Sequence, residues 1–366
     1  MSKERYNLTI EPLTAVHIGT GETLTPVDYG VFGGQYLKYN QENIISRLIR
    51  DNNRGERLKY EQAANKNDMK SLRNFFEEIF ENENDENDDF IYECDTTKSF
   101  RALYKNNKEK NPLQNASEVL SIYRPEGSHK PVIPGSSIKG AIRTAVLNAL
   151  SGGKDYLDEK RFEKDLLSYN DAKSDPFRCI AIGDFTFKSA ETQIVGIMEQ
   201  ISKNADPKTA AQVLIEAIRG TLIDGKAISA SSLLIDKDLQ KNNVDIKIPL
   251  SINDIRKSCN DFYWSEFEEE YREFYQNCLE KEKIGIVEKL REKLQKARDE
   301  DNTFIIRCGR YSQVEFMTLQ GHRKPKTRKD KFGKPYPWGT TRTVFDYDGK
   351  LVPLGWIVAK LEPTND

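Results

Sequence analysis

Residues 131–146 constrain the fold of this chain more than any other stretch. A short apolar run ends at Pro134-Gly135, two serines follow, and a helix-forming pattern then carries Lys139, Gly140 and Arg143. Pro-Gly reads as a turn, and Ser136 or Ser137 as the N-cap of the helix. From there Ile138, Ile142, Ala145 and Ala149 recur at helical spacing and predict one apolar face. Lys139 and Arg143 are four apart and share a different face. The stretch therefore reads as strand, tight turn and helix, with free N–H groups at the helix start and two cations beside them. Such a site suits an anion, and phosphate fits best. The same residues also describe a capped helix with two solvated cations. Neither a Walker loop nor a dinucleotide-binding fingerprint has the right spacing here.

Around this segment, residues 5–18 show strand-like alternation that ends at Gly19 and Gly21. Residues 27–39 hold two strand-like runs broken at Gly33-Gly34, which predicts a hairpin. Ile44, Ile45, Leu48 and Ile49 mark one helix, and Leu72, Phe76 and Ile79 another. Residues 177–187 read as a buried strand. Asp206-Pro207 predicts a helix start, with Val213, Leu214, Ala217 and Ile218 on its apolar side and Gly220 closing it. Strand-like runs lie near 221–235 and 246–252, and a long helical stretch over 255–300 is interrupted near Gly285. Residues 303–308 and 351–361 close the pattern as strands. This alternation predicts an α+β chain of two ferredoxin-like (RRM-like) units. The first, 1–188, carries the glycine-rich motif and a helical insertion; the second, 189–366, carries the long helical insertion and a basic loop.

The chain of 366 residues is 37% hydrophobic and 31% charged, enough to bury a sizeable core beneath a highly charged surface. No apolar run reaches the roughly 18 residues of a membrane span, and the first residues lack an apolar signal region, so a cytoplasmic location is expected. Five cysteines are scattered without a Cys-x-x-Cys pair and read as reduced thiols in or near the core, with neither a metal nor another cofactor implied.

The net charge of −2 conceals strong segregation. Residues 77–95 hold ten acidic residues and no basic one, which reads as a disordered loop. Residues 322–342 hold eight Lys or Arg against a single Asp. There Arg323, Lys324, Lys326, Arg328 and Lys329 precede Phe332, Tyr336 and Trp338. Cations hold phosphates and aromatic faces stack on unpaired bases, so the segment suits a single-stranded nucleic acid. It equally describes an exposed loop with incidental charge. His17 stands at a strand end, far in sequence from His129 and His322, and Asp28 stands alone. No triad, paired carboxylate or metal set emerges, so no catalytic residue is predicted.

The string Ile133-Pro134-Gly135-Ser136-Ser137-Ile138-Lys139-Gly140-Ala141-Ile142-Arg143 resembles the glycine-rich signature of the RAMP proteins of CRISPR effector complexes. Leu13-Thr14-Ala15-Val16-His17-Ile18-Gly19-Thr20-Gly21-Glu22 resembles their first strand and turn. Arg310-Tyr311-Ser312, Thr341-Arg342-Thr343 and Pro353-Leu354-Gly355-Trp356 resemble their closing segment. The order of these blocks is most similar to that of the fifth subunits of type III-A (Csm) complexes. The resemblance implies a subunit without enzymatic activity that binds the guide RNA (crRNA). It would cap the backbone filament at the crRNA 3′ end and serve crRNA maturation in antiviral defence. Its partners would be the crRNA, the backbone and small subunits of the Csm complex, and host nucleases, with no membrane. By the same resemblance, Gly135, Ser136, Ser137, Lys139, Gly140 and Arg143 would hold the guide backbone, and His17, Gly19 and Gly21 would line the adjoining edge. Arg323, Lys324, Lys326, Arg328 and Lys329 would add a further contact. The alternatives are a RAMP-type endoribonuclease acting on CRISPR RNA or target RNA through His17 or Asp28, and a scaffold whose basic surfaces meet acidic proteins.

Overall fold

The computed structural model describes residues 3–51, 53–82, 89–108, 110, 117–153, 161–188, 193–208, 213–243, 245–322 and 339–364. The strand Lys3–Pro12 lies in the middle of a five-stranded antiparallel sheet. Its order is Thr303–Arg307, Trp356–Pro363, Lys3–Pro12, Ser229–Asp236, Ile180–Ile182. Leu8 and Ile10 are fully buried while the alternate residues Asn7 and Thr9 are not, so the period-2 pattern puts one sheet face into the core. The helices Gly135–Ser151 and Ile252–Glu270 pack together, and Tyr263 Oη donates to the Ala141 carbonyl at 3.0 Å. Trp356, fully buried, meets Phe267 and Phe316 edge-on at 5.2 and 5.3 Å between ring centroids. Taken in chain order, Lys3–Pro12, the first helix, Ile180–Ile182, Ser229–Asp236, the second helix and Trp356–Pro363 form a ferredoxin-like unit. Thr303–Arg307 adds an outer strand.

The second sheet has nine strands. Along its main path run Gly19–Leu24, Val119–Ile122, Val213–Ile218, Gln193–Ile201, Phe90–Thr96, Gln35–Tyr39 and Tyr29–Phe32. Arg342–Tyr347 pairs with the end of Gln193–Ile201 and carries Lys350–Pro353 on its other side. Both sheets draw strands from either side of residue 188, which corrects the expected division there. The ferredoxin-like unit extends from Lys3 to Pro363, and the nine-stranded sheet is built from segments inserted within it. A boundary drawn where one strand–helix–strand pattern ends cannot register that the closing strand arrives last.

Val213–Ile218 is a strand, not the expected helix. It pairs antiparallel with Gln193–Ile201 and parallel with Val119–Ile122, and five of its six residues are buried. An apolar run covered on both faces has no period by which strand and helix can be told apart. The segment 177–187 divides into a 3-10 turn, Pro176–Cys179, and the strands Ile180–Ile182 and Phe185–Thr186, the latter paired with Val132–Ile133. In the long helical stretch the break falls after the π turn Tyr271–Tyr275, ahead of the helix Lys281–Asp299. Gly285 lies within that helix. The hairpin at Gly33-Gly34 forms as expected between Tyr29–Phe32 and Gln35–Tyr39, with φ +56° and +90° at its glycines. The helices Gln41–Arg50 and Met69–Asn82 also form, and Tyr39 stacks on Phe76 and Phe80 at 5.5 and 4.9 Å. Helices that carried no clear sequence signal include Arg54–Asn65, Lys98–Asn106, Phe162–Leu166 and Lys237–Asn242. All five cysteines are buried and free. No helix among the described residues is long and apolar enough to cross a membrane.

Candidate nucleic-acid interface

The glycine-rich helix begins at Gly135, and its N-cap is Pro134, two to three positions earlier than the serines. The cap comes from elsewhere in the chain: the Gly135 N–H donates to the Asp184 carboxylate at 2.8 Å. A Cβ at Gly135 would lie 2.1 Å from the Ile182 carbonyl oxygen and 2.7 Å from that of Gly183, so only glycine lets the helix start rest on this strand. Ser136 and Gly140 are exposed, and a Cβ at Gly140 would meet nothing within 4 Å. Ile138, Ile142 and Ala145 are buried as the pattern requires, whereas Ala149 is exposed and Ala141, Val146 and Leu147 share the buried face.

Both cations of this helix have protein acceptors. Lys139 Nζ donates to the Ile180 carbonyl at 2.7 Å, and burial lowers its pKa from the usual lysine range. Arg143 donates to both oxygens of Asp175 at 3.0 and 3.1 Å, to Glu163 at 3.0 and 3.2 Å, and to Tyr169 Oη at 3.2 Å. Its guanidinium also lies 5.0 Å from the Phe177 ring centroid. Arg143 thus fastens residues 163–177 to the helix, a role invisible in sequence because its partners lie in a stretch without a motif.

His17 is fully buried. Its Nδ1 lies 2.7 Å from the Glu216 carbonyl oxygen, which can only accept, so Nδ1 carries the hydrogen and Nε2 is the unprotonated nitrogen. Nε2 has no hydrogen-bond partner among the described residues, and a Cβ at Gly19 would lie 2.7 Å from it. Burial pushes the His17 pKa down, the bond to Glu216 partly opposes this, and the charge of Arg310 lowers it further. The Glu216 carboxylate is itself buried. It accepts from Arg124, from the Ile122 N–H at 3.0 Å and from Tyr92 Oη at 2.7 Å, while Arg124 also donates to Gln193 at 2.7 Å. These residues are remote in sequence, and nothing in the chain marks them as a group.

A ladder of backbone hydrogen bonds brings the motifs together. Tyr123 N donates to Ile18 O at 2.6 Å, Val132 N to Tyr123 O at 3.1 Å, and Arg310 N to His17 O at 2.8 Å. The strand Gly19–Leu24, whose first five residues are exposed, therefore leads toward the glycine-rich turn on one side and residue 310 on the other. Gly21, at φ +90°, needs its glycine. Asp28 serves a turn: its carboxylate accepts from Thr25 N and Oγ1 at 2.8 and 2.9 Å and faces Lys38 at 3.7 Å. Arg342 lies inside the protein. It meets Glu270 at 2.8 Å and Glu315 at 3.1 Å, while Arg307 meets the other Glu270 oxygen at 2.8 Å. Arg323, Lys324, Lys326, Arg328 and Lys329 lie outside the described residues.

A model of the RAMP superfamily matches residues 9–306, and the chain belongs to that superfamily. Among solved structures, the fold is similar to a chain of the Csm-crRNA-target RNA ternary complex of a type III-A CRISPR-Cas system. That match has a TM-score of 0.68 at 20% identity and covers 99% of this chain and 100% of that one. It is similar also to T. onnurineus Csm5, with a TM-score of 0.60 at 20% identity over 96% of this chain and 99% of the other. No curated protein matches significantly.

Proposed function

We propose that this chain is a Csm5-type subunit of a type III-A CRISPR ribonucleoprotein. It binds the crRNA, caps the filament of backbone subunits at the crRNA 3′ end, and takes part in crRNA maturation by positioning host nucleases. The observation that carries this reading is the end-to-end likeness, 99% of this chain and 100% of the other, to a chain from an RNA-bound Csm complex. The exposed edge at Gly19–Leu24 beside the glycine-rich helix start supports RNA contact along the backbone. The subunit is read as non-catalytic, because His17 is buried with its Nδ1 committed to a carbonyl and Asp28 is committed to a turn.

The test is co-purification. The tagged chain is expressed with its neighbouring operon proteins and a CRISPR array, and the retained RNA is sequenced. Short guides with a uniform 5′ end are expected, with 3′ ends left untrimmed or lost when this subunit is omitted. A complex that assembles and matures its guide normally without the subunit would refute the capping role. RNA cleavage by the purified chain that disappears in His17→Ala or Asp28→Ala, with binding retained, would establish the endoribonuclease instead.

A further inference from the structure

Residues 309–313 form a turn against the backbone of His17. Gly309, Tyr311 and Gln313 have φ of +91°, +65° and +66°, so two residues with side chains occupy the left-handed half of backbone space. Gln313, with ψ 154°, sits in a region that is nearly reserved for glycine. The surroundings hold the turn in place. Arg310 N donates to His17 O, Ser312 Oγ donates to Gly309 O at 2.6 Å, and Gln313 Nε2 donates to Tyr311 O and Thr343 O at 3.1 and 3.2 Å. A Cβ at Gly309 would lie 2.7 Å from the His17 carbonyl oxygen, so the turn abuts the strand end directly.

What this arrangement presents is Arg310. Its side chain is exposed, its guanidinium lies 5.4 Å from the Tyr311 ring centroid, and it has no carboxylate partner among the described residues. It differs from Arg143, which is held by two carboxylates, and from Lys139, whose ammonium is held by the Ile180 carbonyl. Strained backbone fixed by a surrounding lattice of hydrogen bonds is characteristic of ligand clamps, and a guanidinium matches a phosphate with two parallel N–H donors.

We infer that Arg310, presented by the turn 309–313, binds a backbone phosphate of an RNA strand running along the exposed Gly19–Leu24 edge. The inference rests on the RNA-binding reading above and assigns its phosphate contact to a residue outside the glycine-rich helix. Each phosphate contact releases counterion, so its loss must flatten the salt dependence of binding.

The experiment measures the affinity of the full chain for a labelled single-stranded RNA across a salt series, with Arg310→Ala and Arg310→Lys beside the wild type, and thermal unfolding of all three. Arg310→Ala is expected to bind several-fold more weakly and to lose about 0.7 from the slope of log K against log salt. Arg310→Lys should keep the wild-type slope, and both variants should unfold with the wild type because the side chain is exposed. A wild type that binds RNA together with an Arg310→Ala variant of unchanged slope overturns this inference alone. A wild type that does not bind RNA overturns the RNA-binding reading along with it.

Discussion

Arg143 grips both oxygens of Asp175, at 3.0 and 3.1 Å, and so ties the glycine-rich helix to the segment that leads into its neighbouring strand. A paired, partly buried guanidinium stabilises through charge-assisted bonds that a methyl group cannot replace. Arg143→Ala is expected to cost about 1–3 kcal/mol of folding stability, read by denaturant unfolding. The salt slope of RNA binding should stay at the wild-type value. A flattened slope at unchanged stability would show instead that Arg143 leaves its carboxylates for phosphate.

Two glycines of the same helix should respond in opposite directions. Gly135→Ala places a methyl group against the backbone of residues 182–183 and should prevent the helix from seating, with broad loss of cooperative unfolding. Gly140 faces open space, and alanine there should raise stability by about 0.5–1 kcal/mol. Weaker RNA binding by this more stable variant would locate the RNA backbone at Gly140. Binding equal to the wild type would place the RNA elsewhere.

His17 links stability to pH. Its pKa is lowered in the folded protein, chiefly by burial, so below about pH 6.5 the unfolded chain takes up a proton that the folded chain refuses. The stability contributed by the neutral ring is complete above that pH and is lost as pH falls toward the folded-state pKa. Unfolding free energies measured at neutral and mildly acidic pH should therefore converge for His17→Asn more than for the wild type. An identical pH dependence in both proteins would contradict the buried neutral ring.

Glu270 lies between Arg307 and Arg342, and all three side chains are nearly solvent-free. Glu270→Ala leaves two buried guanidinium groups without their shared carboxylate and should destabilise by about 3–5 kcal/mol. Chemical denaturation measures the cost, and a loss below about 1 kcal/mol would mean that solvent or Glu315 compensates.

Legibility in sequence followed the range of the interactions. The Gly33-Gly34 hairpin and the glycine-rich turn could be read because a positive φ or a close approach demands glycine locally. The strand Val213–Ile218 could not, since burial on both faces erases the period that separates strand from helix. The serines looked like caps because capping is usually local, whereas Asp184 caps from 49 residues away. Separation along the chain likewise hid the partners of Arg143 and the ring of donors around Glu216. A lysine and an arginine at helical spacing look alike on paper whether they face water, phosphate or a carboxylate across the fold.

The strand Lys3–Pro12 has one neighbour from the middle of the chain and one, Trp356–Pro363, from its far end. Thr364 N donates to Arg5 O across nearly the whole sequence. During synthesis Lys3–Pro12 must therefore wait, with one edge unpaired, until Trp356–Pro363 has left the ribosome. Contacts this distant make folding slow and leave nascent chains open to edge-to-edge association. Trp356, which is fully buried against Phe267 and Phe316, is delivered by that same strand. A product truncated ahead of residue 356 would lack both, and one edge of Lys3–Pro12 would stay open.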